Sequence, residues 1–418
     1  MNKKNIKKVV LAYSGGLDTS VIVPWLIENY NCEVICYTAD VGQGEELTGL
    51  DARAKQSGAS KLYVEDLREE FVVNHLWPLL RSGAIYERKY LLGTSIARPL
   101  IAQHQVQVAE AEGADAVAHG CTGKGNDQVR FELAFTALNP NLVVIAPWRE
   151  WNITSREDAM AYLTAHHLPF PPGATNKSLY SRDRNLWHIS HEGGPLENAN
   201  TPPEEGLFQI SVTPEKAPNQ AEEVEIGFEA GTPVALNGQL VAPVKLVEML
   251  NALGGKHAIG QVDLVENRLV GMKSRGVYET PGGTILSLAH KELESITLDR
   301  DTLHYKDTVA QRYAELIYFG QWFFPLRKAM DAFFTETQKP VTGAIKVKLY
   351  KGNVIITGRT SPYTLYREEF ATFGHSPVYD HTDAAGFIRL FALPSKVQAM
   401  MAAGAKLPPL KPEEIQRD

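Results

Sequence analysis

The segment Ala12-Tyr-Ser-Gly-Gly-Leu-Asp-Thr-Ser20 constrains this 418-residue chain more than any other. Before it stands Lys8-Val-Val-Leu-Ala-Tyr13, a short apolar run that reads as a buried strand. After it, from Thr19 to Tyr30, Val21, Ile22, Trp25 and Leu26 recur at helical spacing. Two adjacent glycines let the backbone turn sharply and bring its N–H groups close to an anion. A helix starting near Thr19 would aim its unpaired N–H groups and positive dipole end at the same point. Ser14, Thr19 and Ser20 add hydroxyl donors. Strand, glycine loop and helix in this order are the context of a phosphate loop. The lysine of G-x-x-x-x-G-K-[ST] and the spacing of G-x-G-x-x-G are both absent. The plain alternative is a glycine turn joining a strand to a helix.

Beyond Tyr30 the chain repeats the alternation. Glu33–Thr38 and Lys61–Glu65 read as strands, as do Asp115–His119 and Leu142–Ala146. Helical stretches are expected at Glu45–Ser57, at Glu69–Leu80 with a kink or split near Pro78, at Ile96–Glu112 and at Asp127–Leu138. Ser155-Arg-Glu-Asp158 opens a last helix with capping-box chemistry. Strands alternating with helices imply an α/β domain whose parallel sheet is covered on both faces. Ligands on such sheets gather at the carboxyl ends of the strands.

The texture changes at Leu168-Pro-Phe-Pro-Pro-Gly173 and stays loop-rich to about Gln220. Two hairpins are expected beyond it: Val224–Phe228 to Val234 with a turn at Asn237-Gly238, and Ala344–Tyr350 to Val354 with a turn at Gly352-Asn353. Helical stretches lie between them at Lys245–Leu253 and Thr308–Thr335. This second region reads as α+β. The tail after Phe370 carries a short helical pattern and a Pro/Lys-rich end expected to be exposed.

A net charge of −7 argues against a broad nucleic-acid footprint, which needs clustered Lys and Arg, while leaving room for a nucleotide held in a local cradle. No apolar run approaches the roughly 18 residues that a membrane span needs. The apolar stretch after the basic start is too short for a signal-peptide core. Three cysteines, Cys32, Cys36 and Cys121, fit a reducing compartment, with burial the better reading for the first two. The expected location is the cytoplasm.

A second motif, Gly120-Cys-Thr-Gly-Lys-Gly-Asn-Asp-Gln-Val-Arg-Phe-Glu132, follows the strand ending at His119. Asn126, Asp127 and Arg130 place an amide, a carboxylate and a guanidinium in one helical turn. That set suits a zwitterionic amino acid, although a solvated loop and helix cap would use the same residue types.

The first motif resembles the pyrophosphate loop of the ATP pyrophosphatases, a superfamily that includes GMP, NAD and asparagine synthetases and several tRNA-modifying enzymes. Both motifs together resemble the argininosuccinate synthases. The resemblance continues through Tyr90–Pro99, Tyr180–Gly194 and Val262–Gly283, so it covers nearly the whole chain. It implies an adenine nucleotide alpha hydrolase type domain over 1–168, an α+β synthetase domain over 169–370 and a C-terminal oligomerisation tail over 371–418. It further implies ATP-dependent joining of L-citrulline to L-aspartate, with release of AMP and pyrophosphate, in arginine biosynthesis.

Residue by residue, the resemblance implies that Ala12, Tyr13, Ser14, Gly15, Gly16, Leu17, Asp18, Thr19 and Ser20, with Ala39, Gly120 and Asp183, hold ATP. Thr122, Asn126 and Asp127 would bind aspartate. Tyr90, Ser95, Asn126, Arg130, Ser181, Ser190, Glu266 and Tyr278 would line the citrulline site. A ureido oxygen is a poor leaving group, so its attack on the α phosphorus of ATP would make a citrullyl-adenylate, from which the aspartate amine displaces AMP. Asp127 is the candidate catalytic group, orienting that amine or receiving its proton. Mg²⁺ would ride mainly on the ATP phosphates. No protein metal site is expected, because His188 and His191 lack further ligands at suitable spacing. Glu266 stands in an apolar strand-like run, where an unpaired carboxylate is costly. The tail Asp383–Leu393 resembles the family's C-terminal helix, which reaches across a homotetramer. Pro394 puts a long continuous arm in question. A tRNA-thiolating enzyme would need reactive cysteines or a basic RNA surface, and a bare nucleotide-binding module would leave the second region without a purpose.

Overall fold

A computed structural model describes residues 6–170 and 180–404. It divides into two compact units, Met1–Leu365 and Tyr366–Asp418. Parts of the Pro-rich stretch at 171–173 and the Pro/Lys-rich end lie outside the described residues.

The first part of the larger unit winds through β1 (Lys8–Ala12), α1 (Leu17–Tyr30), β2 (Glu33–Asp40), α2 (Leu50–Gln56) and β3 (Lys61–Asp66). It continues through α3 (Arg68–Phe71), α4 (Trp77–Ser82), α5 (Gly93–Ala111), β4 (Ala116–Ala118), α6 (Asp127–Leu138), β5 (Val143–Ile145) and α7 (Arg156–Ala165). The five strands pair in parallel in the order β3-β2-β1-β4-β5. Helices bury both faces, so β2 carries six successive buried residues rather than an alternation. From β1 the chain winds one way to β2 and β3, then crosses to β4 and β5. The reversal lies between β1 and β4, and it opens a crevice at their carboxyl ends. The loops after β1 and β4 are the two glycine-rich motifs, so the topology sets them side by side.

The kink expected near Pro78 is a π-helical stretch, Val72–Leu76, between α3 and α4. Trp77 N–H bonds back to Val72 O, five residues earlier. Proline at 78 has no N–H to continue the regular ladder, and the helix widens ahead of it. Ser155 caps α7 as expected: its Oγ accepts from Asp158 N at 3.0 Å, and Asp158 returns the bond to Ser155 N.

The second part runs β6 (Ser181–Arg184), β7 (Ile189–Glu192), β8 (Glu222–Glu229), β9 (Thr232–Leu236), β10 (Gln239–Leu240), α8 (Pro243–Lys256), β11 (Gln261–Asn267) and β12 (Lys273–Glu279). It ends with α9 (Pro281–Thr297), α10 (Arg300–Tyr318), α11 (Pro325–Thr337), β13 (Gly343–Tyr350) and β14 (Asn353–Thr360). One antiparallel sheet has the order β10-β9-β8-β13-β14, the other β11-β12-β7-β6. A continuous buried cluster joins these elements to the parallel sheet.

Several expectations shift here. The turn between β8 and β9 is Ala230-Gly231, and Asn237-Gly238 joins β9 to the short β10. The β13–β14 turn is Lys351-Gly352, both at positive φ, with Asn353 already in the strand. The long helix over 308–335 is two helices, because Gly320 takes a φ of +76° and Pro325 starts afresh. The stretch read as loop contains β6 and β7, and α9 occupies a segment with no helical expectation.

In the smaller unit α12 (Glu368–Ala371) precedes α13 (Asp383–Phe391) and α14 (Leu393–Ala402). The segment is two successive helices rather than one continuous arm: Ala392 closes α13 and opens α14, and Pro394 falls in the first turn of α14, where a missing N–H costs nothing. No helix among the described residues is long and apolar enough to cross a membrane.

Candidate active site

The loop after β1 is held from below. Tyr13 N–H donates to Tyr37 O at 2.8 Å, and the Thr38 hydroxyl donates to Tyr13 O. The Tyr13 ring itself is core, so what Tyr13 offers the crevice is backbone. Gly15 has a φ of +73°, and a methyl group there would lie 2.3 Å from Leu50 Cδ2. Only glycine fits. Gly16 caps α1 with no side-chain bond, and the first helical bond runs from Ser20 N to Gly16 O at 3.1 Å. The N–H groups before it therefore project from the helix end. Ser14 Oγ lies 3.3 Å from Thr19 Oγ1 at this mouth. Leu17 packs against α7, and burial raises the Asp18 carboxyl against the pull of Arg156. Ala39 is buried at the end of β2.

The loop after β4 abuts the first. A methyl group at Gly120 would lie 3.3 Å from Thr19 Cγ2. Thr122 is exposed, and its carbonyl accepts from Gly125 N at 3.1 Å. Asn126 stands at the start of α6, and its Oδ1 accepts from Leu269 N at 2.9 Å. Asp127 uses both oxygens. Oδ1 takes Arg130 Nη1 at 2.7 Å, and Oδ2 takes Arg98 Nε at 2.9 Å. Burial would push this carboxyl up, but Arg98 and Arg130 together outweigh it and hold it at about 2. Arg130 in turn donates from Nε to Tyr318 O at 2.9 Å and lies over the Tyr318 ring. The break at Gly320 permits this approach, since a methyl group there would sit 2.6 Å from Arg130 Cα.

Around Arg130 gathers a buried polar pocket. The Tyr90 and Tyr278 rings lie 4.7 Å apart, and Tyr278 OH donates to Glu266 Oε1 at 3.1 Å. Tyr90 OH accepts from Thr94 N at 3.0 Å, while Thr94 Oγ1 pairs with His188 Nε2 at 3.0 Å. Ser190 pairs with Tyr278 across β7 and β12, and with Asp183 across β6 and β7. Ser95 Oγ and Glu266 Oε2 are buried without a hydrogen-bond partner. Such atoms are costly to bury and are where a ligand's polar groups would be satisfied. Burial raises the Glu266 carboxyl, with Arg130 opposing. Ser181 is exposed at the start of β6, in register with Glu192, and takes no part in the hydrogen bonds that knit this pocket.

Asp183 reaches the first cluster through Arg98, whose Nη2 donates to Asp183 Oδ2 at 2.8 Å. Arg98 and Tyr318 are the residues that sequence reasoning missed. Arg98 lies inside one of the motif blocks, Tyr90–Pro99, whereas Tyr318 carries no local signal. His191 is engaged elsewhere, its Nε2 2.8 Å from Glu279 Oε1 and its Nδ1 accepting from Arg182 Nε at 3.2 Å. Among the described residues no three His, Cys, Asp or Glu side chains are grouped to hold a metal ion. Cys32 and Cys36 are buried free thiols.

Two family models match the chain: the arginosuccinate synthase N-terminal HUP domain over residues 8–169 and the arginosuccinate synthase C-terminal domain over residues 180–398. The chain is 64% identical over 400 residues to an argininosuccinate synthase of Desulforamulus reducens, covering 96% of this chain and 99% of that one. A Roseiflexus argininosuccinate synthase is 63% identical over 397 residues, 95% of this chain and 97% of the other. A chloroplastic argininosuccinate synthase of Arabidopsis thaliana is 62% identical over 397 residues, 95% and 80% of the two chains.

Proposed function

The chain belongs to the argininosuccinate synthase family, and from that premise we propose how its own residues carry the family's reaction. The reaction is the ATP-dependent condensation of L-citrulline and L-aspartate to argininosuccinate, a carbon–nitrogen ligation in arginine biosynthesis. The HUP domain is the nucleotide-binding part.

Residues Ala12 to Ser20 grip the β and γ phosphates of ATP through backbone N–H groups at the α1 end. Gly15 provides the close approach. Ala39, Gly120 and Asp183 complete the nucleotide site. Citrulline lies against Tyr90, Ser95, Asn126, Arg130, Ser181, Ser190, Glu266 and Tyr278. Thr122, Asn126 and Asp127 receive aspartate. The ureido oxygen attacks the α phosphorus, forming a P–O bond as pyrophosphate leaves with its electron pair. The aspartate amine then adds to the activated carbon, loses a proton, and expels AMP. Most of this work is positioning and charge stabilisation. Asp127 orients the incoming amine by its charge: with both oxygens taken by arginines and its carboxyl held at about 2, it is a weak proton acceptor near neutrality. Mg²⁺ arriving with ATP would be carried mainly by its phosphates and would supply charge neutralisation of the leaving pyrophosphate.

The observation that carries this reading is the contact of the two glycine-rich loops, Gly120 against Thr19, at the switch point of the sheet. It supports a nucleotide and an amino acid meeting there. Incubation with ATP and citrulline, with and without aspartate, tests it. Sustained pyrophosphate release should need both amino acids and yield argininosuccinate by mass spectrometry; ATP bound but unchanged would overturn it.

The domain boundaries proposed are 1–168, 169–370 and 371–418. The protein is proposed to act in the cytoplasm, without nucleic-acid or membrane partners, as a homotetramer. Support for assembly comes from α13, on which Phe387, Ile388, Leu390 and Phe391 are all exposed.

A further inference from the structure

Arg98 lies one helical turn past Ser95 on α5. Its guanidinium serves two carboxylates on two other elements at once. A single nitrogen, Nη2, lies 2.8 Å from Asp127 Oδ2 at the start of α6 and 2.8 Å from Asp183 Oδ2 in β6. Nε adds a second bond to Asp127 at 2.9 Å. Two anions meeting at one nitrogen would repel each other without the cation between them.

We infer that Arg98 is a positioning residue of the condensation, strapping the carboxylate at the aspartate end to the carboxylate at the nucleotide end. This rests on the roles proposed above for Asp127 and Asp183. A planar guanidinium suits the task because its donors diverge in a fixed fork, which an ammonium cannot reproduce. Charge matters as much as geometry. ATP brings several negative charges into a site that already holds Asp127, Asp183 and Glu192, faced by Arg98, Arg130 and Arg268. His188, which also faces Asp183 and Arg98, cannot stand in for the missing cation. Burial depresses its pKa to about 4, so it is neutral near pH 7. The half-buried Cys121 thiol beside Arg98 is held protonated, chiefly by desolvation and next by Asp127.

The test is steady-state kinetics of Arg98→Met, Arg98→Lys, Asp183→Asn and the Arg98→Met/Asp183→Asn double variant, with thermal melts to verify folding. Arg98→Met should raise KM for aspartate and for ATP about tenfold or more, the scale of a lost charge-assisted pair, and leave KM for citrulline within about twofold. Arg98→Lys should move the same two constants less. The double variant should be less impaired than the two single effects multiplied, because removing Asp183 relieves the repulsion that Arg98→Met exposes. Should Arg98→Met fail to fold, Arg98→Lys carries the same test. Unchanged KM values, with only kcat or the folded fraction reduced, would overturn the inference, as would simple multiplication in the double variant. The wild-type requirement for both amino acids is read in the same assay, so a failure of the functional reading shows up separately.

Discussion

Tyr278 reaches back along its own strand to Glu266: its hydroxyl donates to Glu266 Oε1 at 3.1 Å, although its register partner on β11 is Val262. Gly276 makes the path. A methyl group there would stand 2.6 Å from the Tyr278 hydroxyl oxygen, so the ring can lie along β12 only over a glycine. The second oxygen of Glu266 is buried beside Arg130 without a protein partner, and a citrulline amide has the donors to match it.

Glu266→Gln should therefore separate stability from activity. Burial raises the folded pKa of this carboxyl above its ordinary value, with Arg130 opposing. A raised carboxyl favours folding below its unfolded pKa, and that contribution is lost as pH rises through the folded pKa. The glutamine variant should melt above wild type at neutral pH. The gap should close as pH falls through the raised pKa toward the ordinary range. KM for citrulline should rise about tenfold or more. Ser95→Ala should behave alike, keeping or gaining thermal stability while losing citrulline affinity, because it removes a buried hydroxyl with no partner.

Gly15→Ala should weaken ATP binding. The left-handed backbone alone costs about 1–2 kcal/mol for a residue with a Cβ, and here that Cβ would also strike Leu50. Calorimetric titration with ATP should show at least about a tenfold loss of affinity. Unchanged affinity would remove the loop from the nucleotide site.

Asp127→Asn should divide the reaction in two. A single turnover of pyrophosphate from ATP and citrulline should persist, while argininosuccinate formation falls by about a hundredfold. In the wild type the carboxyl is held at about 2, so its ionisation stabilises the fold above an unfolded pKa of about 3.9. That contribution is lost only as pH falls from there through about 2. The pH profile of kcat/KM for aspartate should thus show no limb from Asp127 above about pH 4, whereas a limb near neutrality that Asp127→Asn removes would make it the proton acceptor.

Phe387→Asp with Phe391→Asp should lower the assembly state seen by light scattering. The two rings stack 5.3 Å apart on an exposed helix face, where charge would oppose burial against another copy. An unchanged assembly state would take this face out of any interface between copies.

The fold is legible in the sequence where local chemistry decides it. The glycine loop, the strand–helix alternation, the Ser155 cap and α6 from Asp127 to Leu138 all come from patterns a few residues long. The illegible parts depend on distant partners. The strands β6 and β7 read SRDR and ISHE, with no hydrophobic alternation; β7 is held between β12 and β6, and β6 pairs with β7. The helix α9 begins Pro-Gly-Gly, a turn signal. Those glycines are there because Asn251 and Trp187 press against them. At the site, Asp127 and Arg130 stand in one motif, but Tyr318, whose carbonyl accepts from Arg130 Nε, lies 188 positions away. No local pattern encodes such a contact.

The most direct test of the account follows one atom. Citrulline labelled with oxygen-18 in its ureido group is turned over with ATP and aspartate, and the AMP and pyrophosphate are separated by mass. If the ureido oxygen attacks the α phosphorus, the label appears in the AMP phosphate and pyrophosphate stays light. Label in pyrophosphate, or ADP as the nucleotide product, would contradict it.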